Sequence, residues 1–243
     1  MAPVAPSPIL VVAAHPDDEV LGCGGTLALR AAEGTPVYVA ILGEGATSRH
    51  AAGADAATRE TSVLARQARQ AGALLGATEV HTFGLPDNRF DTVPLLDIVK
   101  RVEELVGRVR PGVVFTHHGG DLNIDHAVTC RAVLTATRPT PGHPVREVYA
   151  FEVPSSTGWA FGRPGGPFEP NVFIDIGPTL STKLRALEVY SSEGRPFPHA
   201  RSPEALEALA RHRGSLVGLG AAEAFRLLRS VVPAGPGRVS PVS

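Results

Sequence analysis

Three observations predict an α/β fold, a single domain built on a mainly parallel, Rossmann-like sheet flanked by helices. Short apolar runs alternate with longer helical patterns from Ile9 onward, and such alternation builds βαβ units with right-handed crossovers. The runs ILVVA, PVYVAIL and GVVFT are apolar almost throughout, as strands covered on both faces are. Polar loops rich in His, Asp and Arg follow the ends of these runs, where open α/β sheets collect their ligands.

The elements follow in order. Residues 1–7 are rich in Pro and Ala and are expected to be a flexible arm, with the domain over 8–232. A first strand spans 9–13 and a helix 20–33, which Gly34 closes as a C-terminal cap. A second strand covers 36–42, and Gly43 to His50 forms a polar loop. A long helical pattern over 58–75 ends at Gly76, and a short strand over 80–83 leads into the loop Gly84 to Arg89. The helix over 93–109 stops before Pro111, because a proline disfavours helical backbone in the residue ahead of it. A fourth strand over 112–116 runs into His117-His118-Gly119-Gly120-Asp121-Leu122-Asn123-Ile124-Asp125-His126, and a helix continues to Thr137. Beyond Arg138 the period weakens. Strands are expected over 147–153 and 172–176, and helices over 179–191 and 203–217. The Gly-rich segment 155–170, with Trp159, reads equally as a substrate lid or a structural Ω-loop. The tail 233–243 is rich in Pro and Gly and is expected to be disordered.

The whole chain of 243 residues is long enough for one substantial core. Its net charge of −1, with basic residues scattered, points away from a nucleic-acid partner. Cys23 and Cys130 are too few and too far apart for a disulfide framework or a cysteine zinc knuckle, and both read as small buried hydrophobes. The first apolar run is too short for a signal segment or membrane span, so a cytoplasmic protein without a membrane partner is expected.

Chemistry concentrates in Ala14-His15-Pro16-Asp17-Asp18-Glu19. His15 and Asp18 stand three apart across a turn into a helix, so both side chains can face one point, while Asp17 points differently and can hold water. Carboxylates at a helix start also need no metal to be favourable there. Asp125-His126 changes the balance, because it too follows a strand and opens a helix. Strands one and four adjoin in the doubly wound order, so the two loops meet and can complete a His–Asp–His site of the kind zinc takes.

The hexapeptide matches the signature of the PIG-L/LmbE-like family of zinc-dependent N-deacetylases, and Asn123-Ile124-Asp125-His126 resembles its second motif, which ordinarily reads H-x-D-H. The likeness continues into 170–176, 183–190 and 218–225. The resemblance implies zinc, or another divalent metal such as Fe²⁺, held by His15, Asp18 and His126. Asp17 is then the general base and Asp125 a carboxylate that orients a neighbouring imidazole. Zinc would polarise an amide carbonyl and lower the pKa of its water toward roughly 7. Asn123 stands where the family usually has the histidine that stabilises the oxyanion. Losing such a donor can cost on the order of a hundredfold in rate, so either zinc does more of the work or another group substitutes; His118 and His199 are the candidates, and each reads equally as a loop histidine bonded to backbone. His117 and His118 remain equal candidates to face inward. Arg49, Asp87 and Arg89 are expected to hold sugar hydroxyls or a phosphate, or to be ordinary loop charges. Gly22-Cys23-Gly24-Gly25 lacks the spacing of a dinucleotide loop.

The expected activity is removal of an N-acyl group, most simply N-acetyl, from a glucosamine-type sugar or glycoconjugate. Its rivals are a zinc amidase acting on a thiol conjugate or antibiotic intermediate, and a non-catalytic sugar- or nucleotide-binding module. A homo-oligomer is left open.

Overall fold

A computed structural model describes residues 6–49, 55–161 and 165–232. The disordered tail expected over 233–243, and residues 1–5 of the expected arm, lie outside the described residues. The chain runs β1 (Ile9–Ala13), α1 (Asp18–Ala32), β2 (Val37–Gly43), α2 (Asp55–Leu74), β3 (Glu79–Leu85), α3 (Leu95–Val109) and β4 (Val113–His117). It continues through α4 (Ile124–Ala136), β5 (Glu147–Phe151), β6 (Val172–Asp175), α5 (Leu180–Val189), α6 (Pro203–Ser215) and β7 (Ala222–Ser230).

These strands form one seven-stranded sheet in the order β3-β2-β1-β4-β5-β7-β6. The first five strands pair in parallel, and β7 runs antiparallel between β5 and β6. Side chains alternate along β1 and so divide the core in two. Ile9, Val11 and Ala13 face Leu21 and Leu27 of α1, Leu64 and Ala68 of α2, and Ala186 of α5. Leu10 and Val12 face Ile98 and Val102 of α3 and Ala132 and Val133 of α4. Burial on both faces is why these strands read as unbroken apolar runs. Cys23 and Cys130 are both buried and free, as expected.

The site depends on how α1 is seated. A Cβ on Gly22 would fall 2.2 Å from the Phe151 ring, and one on Gly25 would fall 2.9 Å from Ile176. Two small residues therefore let the helix lie close over the sheet. A buried ion pair then grips it: Lys183 Nζ donates to the Leu21 carbonyl at 2.8 Å and to Glu223 at 2.6 Å. Glu223 in turn accepts from the amides of Gly25 and Thr26 at 2.9 and 2.7 Å.

The sequence reading missed β7. Its sequence AEAFRLLRS consists mostly of good helix formers, and only the slot between β5 and β6 makes it a strand. Helix α1 also begins two residues earlier than expected, at Asp18, which brings that carboxylate into its first turn.

Candidate metal centre

The loops after β1 and β4 meet because those strands are neighbours, paired from Ile9↔Val113 to Val11↔Phe115. His117 ties the loops together from within. Its buried ring accepts the Ala14 amide at Nε2, 2.8 Å away, and stacks on His126 at 3.9 Å. Burial holds His117 well below the ordinary histidine range, which suits a neutral acceptor. His117 is thus the inward-facing member of the His117-His118 pair, but its Nε2 is occupied by backbone.

Three ligand-type atoms converge beside it. Asp18 Oδ2 lies 3.3 Å from His15 Nδ1 and 3.2 Å from His126 Nε2, and those two nitrogens are 3.3 Å apart. The edges of a tetrahedron with metal–ligand bonds near 2.0–2.1 Å are roughly 3.3–3.4 Å long, so this triangle has the dimensions that zinc needs. Each imidazole is also held from its far side. His15 Nε2 donates to Asp125 Oδ2 at 2.9 Å, and Asp125 Oδ1 accepts the Phe90 amide at 2.9 Å. His126 Nδ1 lies 3.2 Å from Asp121 Oδ1, with Ser156 Oγ at 3.3 Å. Carboxylates placed this way fix which nitrogen is left to face a metal. Asp18 Oδ1 is buried with no hydrogen-bond partner among the described residues, a cost that a cation would relieve. The donor set fits a divalent ion. A second grouping of His15, Asp87 and Asp125 is weaker, because His15 Nε2 already serves Asp125.

The electrostatics agree. Burial works against an ionised Asp18, yet the neighbouring histidines, His126 foremost, hold it well below the carboxylate range. Burial likewise opposes a charged His15, but hydrogen bonds with Asp125 and Asp18 raise it to about 10. The pocket is acidic enough to retain positive charge, as protons or as a metal.

Asp17 sits beside this triangle in left-handed backbone, φ 97°, which costs an L-residue roughly 1–2 kcal/mol. In return its carbonyl accepts the Val20 and Leu21 amides that start α1. Its own amide reaches Glu19 Oε2 at 3.2 Å, while Tyr190 donates to Glu19 Oε1 at 2.6 Å. Arg201 Nη1 donates to Asp17 Oδ2 at 2.9 Å, and the buried Oδ1 has no partner among the described residues. Burial pushes Asp17 up to about 7 against the opposing pull of Arg201.

The other sequence-derived residues divide. Asp87 joins the site, with Oδ1 at 3.3 Å from His15 Nε2 and Oδ2 accepting from Ser48. Asn123 caps α4: its Oδ1 accepts the Asp125 amide at 2.9 Å, and its amide nitrogen donates to Asn88 at 3.0 Å. An amide nitrogen has two protons, and Asn88 takes one of them. His118 turns away, to the Gly166 carbonyl at 3.2 Å and the Phe168 ring. Arg49 pairs with Glu193 through both terminal nitrogens, and His199 accepts the Arg201 amide. Arg89 is exposed, and its side chain has no hydrogen-bond or ion-pair partner among the described residues. Asp121, Arg201, Ser155 and Ser156 escaped the sequence reading. The start of the segment proposed as a lid or Ω-loop is packed into the site, with Ser155, Ser156 and Thr157 buried and Asp121 accepting from Ser156 and Thr157.

Comparison with known proteins places this geometry. A family model described as PIG-L, GlcNAc-PI de-N-acetylase, matches residues 10–137. The chain is similar to a Bacillus cereus protein named a probable N-acetyl-alpha-D-glucosaminyl L-malate deacetylase 2, 26% identical over 190 residues that cover 76% of this chain and 83% of that one. It is also similar to the 4-oxalmesaconate hydratase of Pseudomonas putida, 28% identical over 202 residues that cover 76% and 73%. Among solved structures, the N,N'-diacetylchitobiose deacetylase of Pyrococcus horikoshii shares the fold, with a TM-score of 0.74 at 18% identity over 92% of this chain and 84% of that one.

Proposed function

The chain belongs to the PIG-L family, and on that footing we propose that it is a zinc-dependent hydrolase that removes an N-acetyl group from a glucosamine-type sugar or glycoconjugate. The observation that carries this reading is the triangle of His15 Nδ1, Asp18 Oδ2 and His126 Nε2, with each imidazole backed by its own carboxylate. A divalent cation held there supplies positive charge that polarises an amide carbonyl and acidifies water. Asp17 takes the proton of the attacking water at Oδ1, its unpartnered oxygen, and returns it to the departing amine. A carboxylate pushed up to about 7 is suited to both halves of that exchange. Arg201 keeps Oδ2 engaged, so proton transfer is directed to one oxygen. Asp125 and Asp121 hold the two imidazoles in the tautomers that leave Nδ1 of His15 and Nε2 of His126 free. Asn123 contributes by capping α4 and so placing Asp125 and His126.

The test is metal analysis combined with an acetate-release screen over N-acetylated sugars and glycosides. Purified protein should carry about one zinc per chain, lost in His15→Ala and in His126→Ala. Asp17→Asn should keep its zinc and lose hydrolysis. Unchanged metal content in both histidine variants would remove the centre, and full turnover in the Asp17 variant would remove its role. The hydratase relative supports a second reading, addition of water to an unsaturated carboxylic acid by the same base. Loss of enoate absorbance with no amine released from any glycoside would favour it.

A further inference from the structure

Asp17 is held through its backbone as well as through its side chain. It is the N-cap of α1, yet its carboxylate makes no capping hydrogen bond among the described residues. Glu19 reaches back instead, and its Oε2 accepts the Asp17 amide at 3.2 Å, as the acid of a capping box does from one position later. The Asp17 carbonyl accepts the Val20 and Leu21 amides at 3.0 and 2.9 Å, and the Asp18 amide donates to the His15 carbonyl at 3.3 Å. The peptide groups on both sides of Asp17 are therefore pinned, which fixes the direction of its Cα–Cβ bond. Left-handed backbone at an aspartate persists where its surroundings over-determine it, and these contacts do so.

Glu19 is a costly way to start a helix. It is only 1% exposed, and a carboxyl group taken out of water needs its hydrogen bonds replaced. A solvent-facing acid in the first turn would serve the helix as well. What the buried position adds is a fixed direction, because Glu19 Oε1 accepts the Tyr190 hydroxyl at 2.6 Å from 171 residues away. Tyr190 is itself anchored. Its ring is fully buried in the core that includes Leu21 and Leu187, and its carbonyl accepts the Glu193 and Gly194 amides at 2.9 and 3.0 Å. That turn places Glu193, which lies 4.0 Å from Arg201 Nη1, the nitrogen that donates to Asp17 Oδ2. One tyrosine thus stands behind both attachments of Asp17, its amide through Glu19 and its Oδ2 through the turn that brings Glu193 to Arg201.

We propose that Tyr190 and Glu19 are positioning residues for Asp17: the Tyr190 hydroxyl orients the Glu19 carboxyl, which holds the Asp17 amide and so sets where Oδ1 stands beside the triangle. The inference rests on the hydrolase reading for the task of Oδ1, but the hold on Asp17 can be read without turnover. Three substitutions separate positioning from general support. Tyr190→Phe removes the hydroxyl and keeps the ring, and Glu19→Leu removes both hydrogen bonds. Glu19→Gln keeps an acceptor for the Asp17 amide and turns its NH2 group to the Tyr190 oxygen. On the N-acetylated glycoside selected by acetate release, Tyr190→Phe and Glu19→Leu should lower kcat about tenfold to a hundredfold, with KM and zinc content unchanged. Glu19→Gln should recover kcat to within about threefold of the parent. By NMR of isotope-labelled, zinc-loaded protein, the Asp17 amide should exchange with solvent about tenfold faster in the first two variants and at the parent rate in Glu19→Gln. If Glu19→Leu does not fold, Tyr190→Phe carries the comparison, because its ring still fills the core. With an active parent, unchanged kcat in Tyr190→Phe overturns the proposal, and so do unchanged exchange, loss of zinc, or a rise in KM in place of the fall in kcat. Equal loss in Glu19→Gln also overturns it, since charge and not the hold on the amide would then matter. Faster exchange in Tyr190→Phe, with no acetate released by the parent from any glycoside, would retain the hold on Asp17 and overturn the hydrolase reading.

Discussion

Asp121, in the loop after β4, and Asp125, in the first turn of α4, perform the same task, each holding the rear nitrogen of a histidine whose front nitrogen faces the triangle. Replacing either by alanine should weaken zinc binding by about 10–100-fold, as read by competition with a chelator of known affinity. Loss in only one variant would mean that only one imidazole needs its support. Of the pair, Asp125 was legible in the sequence because it adjoins His126 in a recognisable motif. Asp121 was not, since an acid in a Gly-rich loop has no distinguishing spacing and its contact with His126 depends on how the loop folds back. Arg201 is a stronger case, lying 184 residues from the Asp17 that it holds. His15, Asp18 and His126 were readable for the opposite reason, because strand ends and helix starts fix their directions locally. Asn123 also has a local role. Its place before the first turn of α4 already suited a capping residue, and that is how its side-chain oxygen is used.

Helix α1 carries Asp18 in its first turn, and its grip on the sheet is ionic as well as apolar. The Leu21 carbonyl and Gly25 amide, which face each other in the helix ladder, each have a charged partner, Lys183 and Glu223. Lys183→Met leaves Glu223 buried without its cation, and removing one partner of a buried pair typically costs about 3–5 kcal/mol. Denaturant unfolding should show a loss of that size, with part of it restored in Lys183→Met/Glu223→Met. The double variant leaves no buried charge without its counterpart. A single variant within about 0.5 kcal/mol of the parent would mean that water reaches the pair. Elements β1, β2 and β4 declared themselves through continuous apolar runs. Strand β7 did not, because its residues favour a helix in isolation and its conformation is dictated by β5 and β6 on either side.

At the scale of the molecule, the parallel order of β1 and β4 was predictable from the doubly wound pattern, and it sets the site at the carboxyl edge of the sheet. The antiparallel closure by β7 was not predictable from alternation, which carries no signal for a strand inserted out of order. The pairing of β1 with β4 also has a kinetic consequence. His15 and His126 are 111 residues apart, so the ligand triangle exists only after that long-range pairing has formed. A cation that binds this triangle recognises the nearly finished fold and not the partly folded states before it. Stopped-flow refolding should then proceed at the same rate with and without zinc. Unfolding should slow about tenfold for each tenfold rise in free zinc above its dissociation constant. Faster refolding in zinc would place the joining of the two loops ahead of the rate-limiting step. With constant refolding, chelation would shorten the lifetime of the folded chain, and the metal would act as a latch on a door that the sheet has already closed.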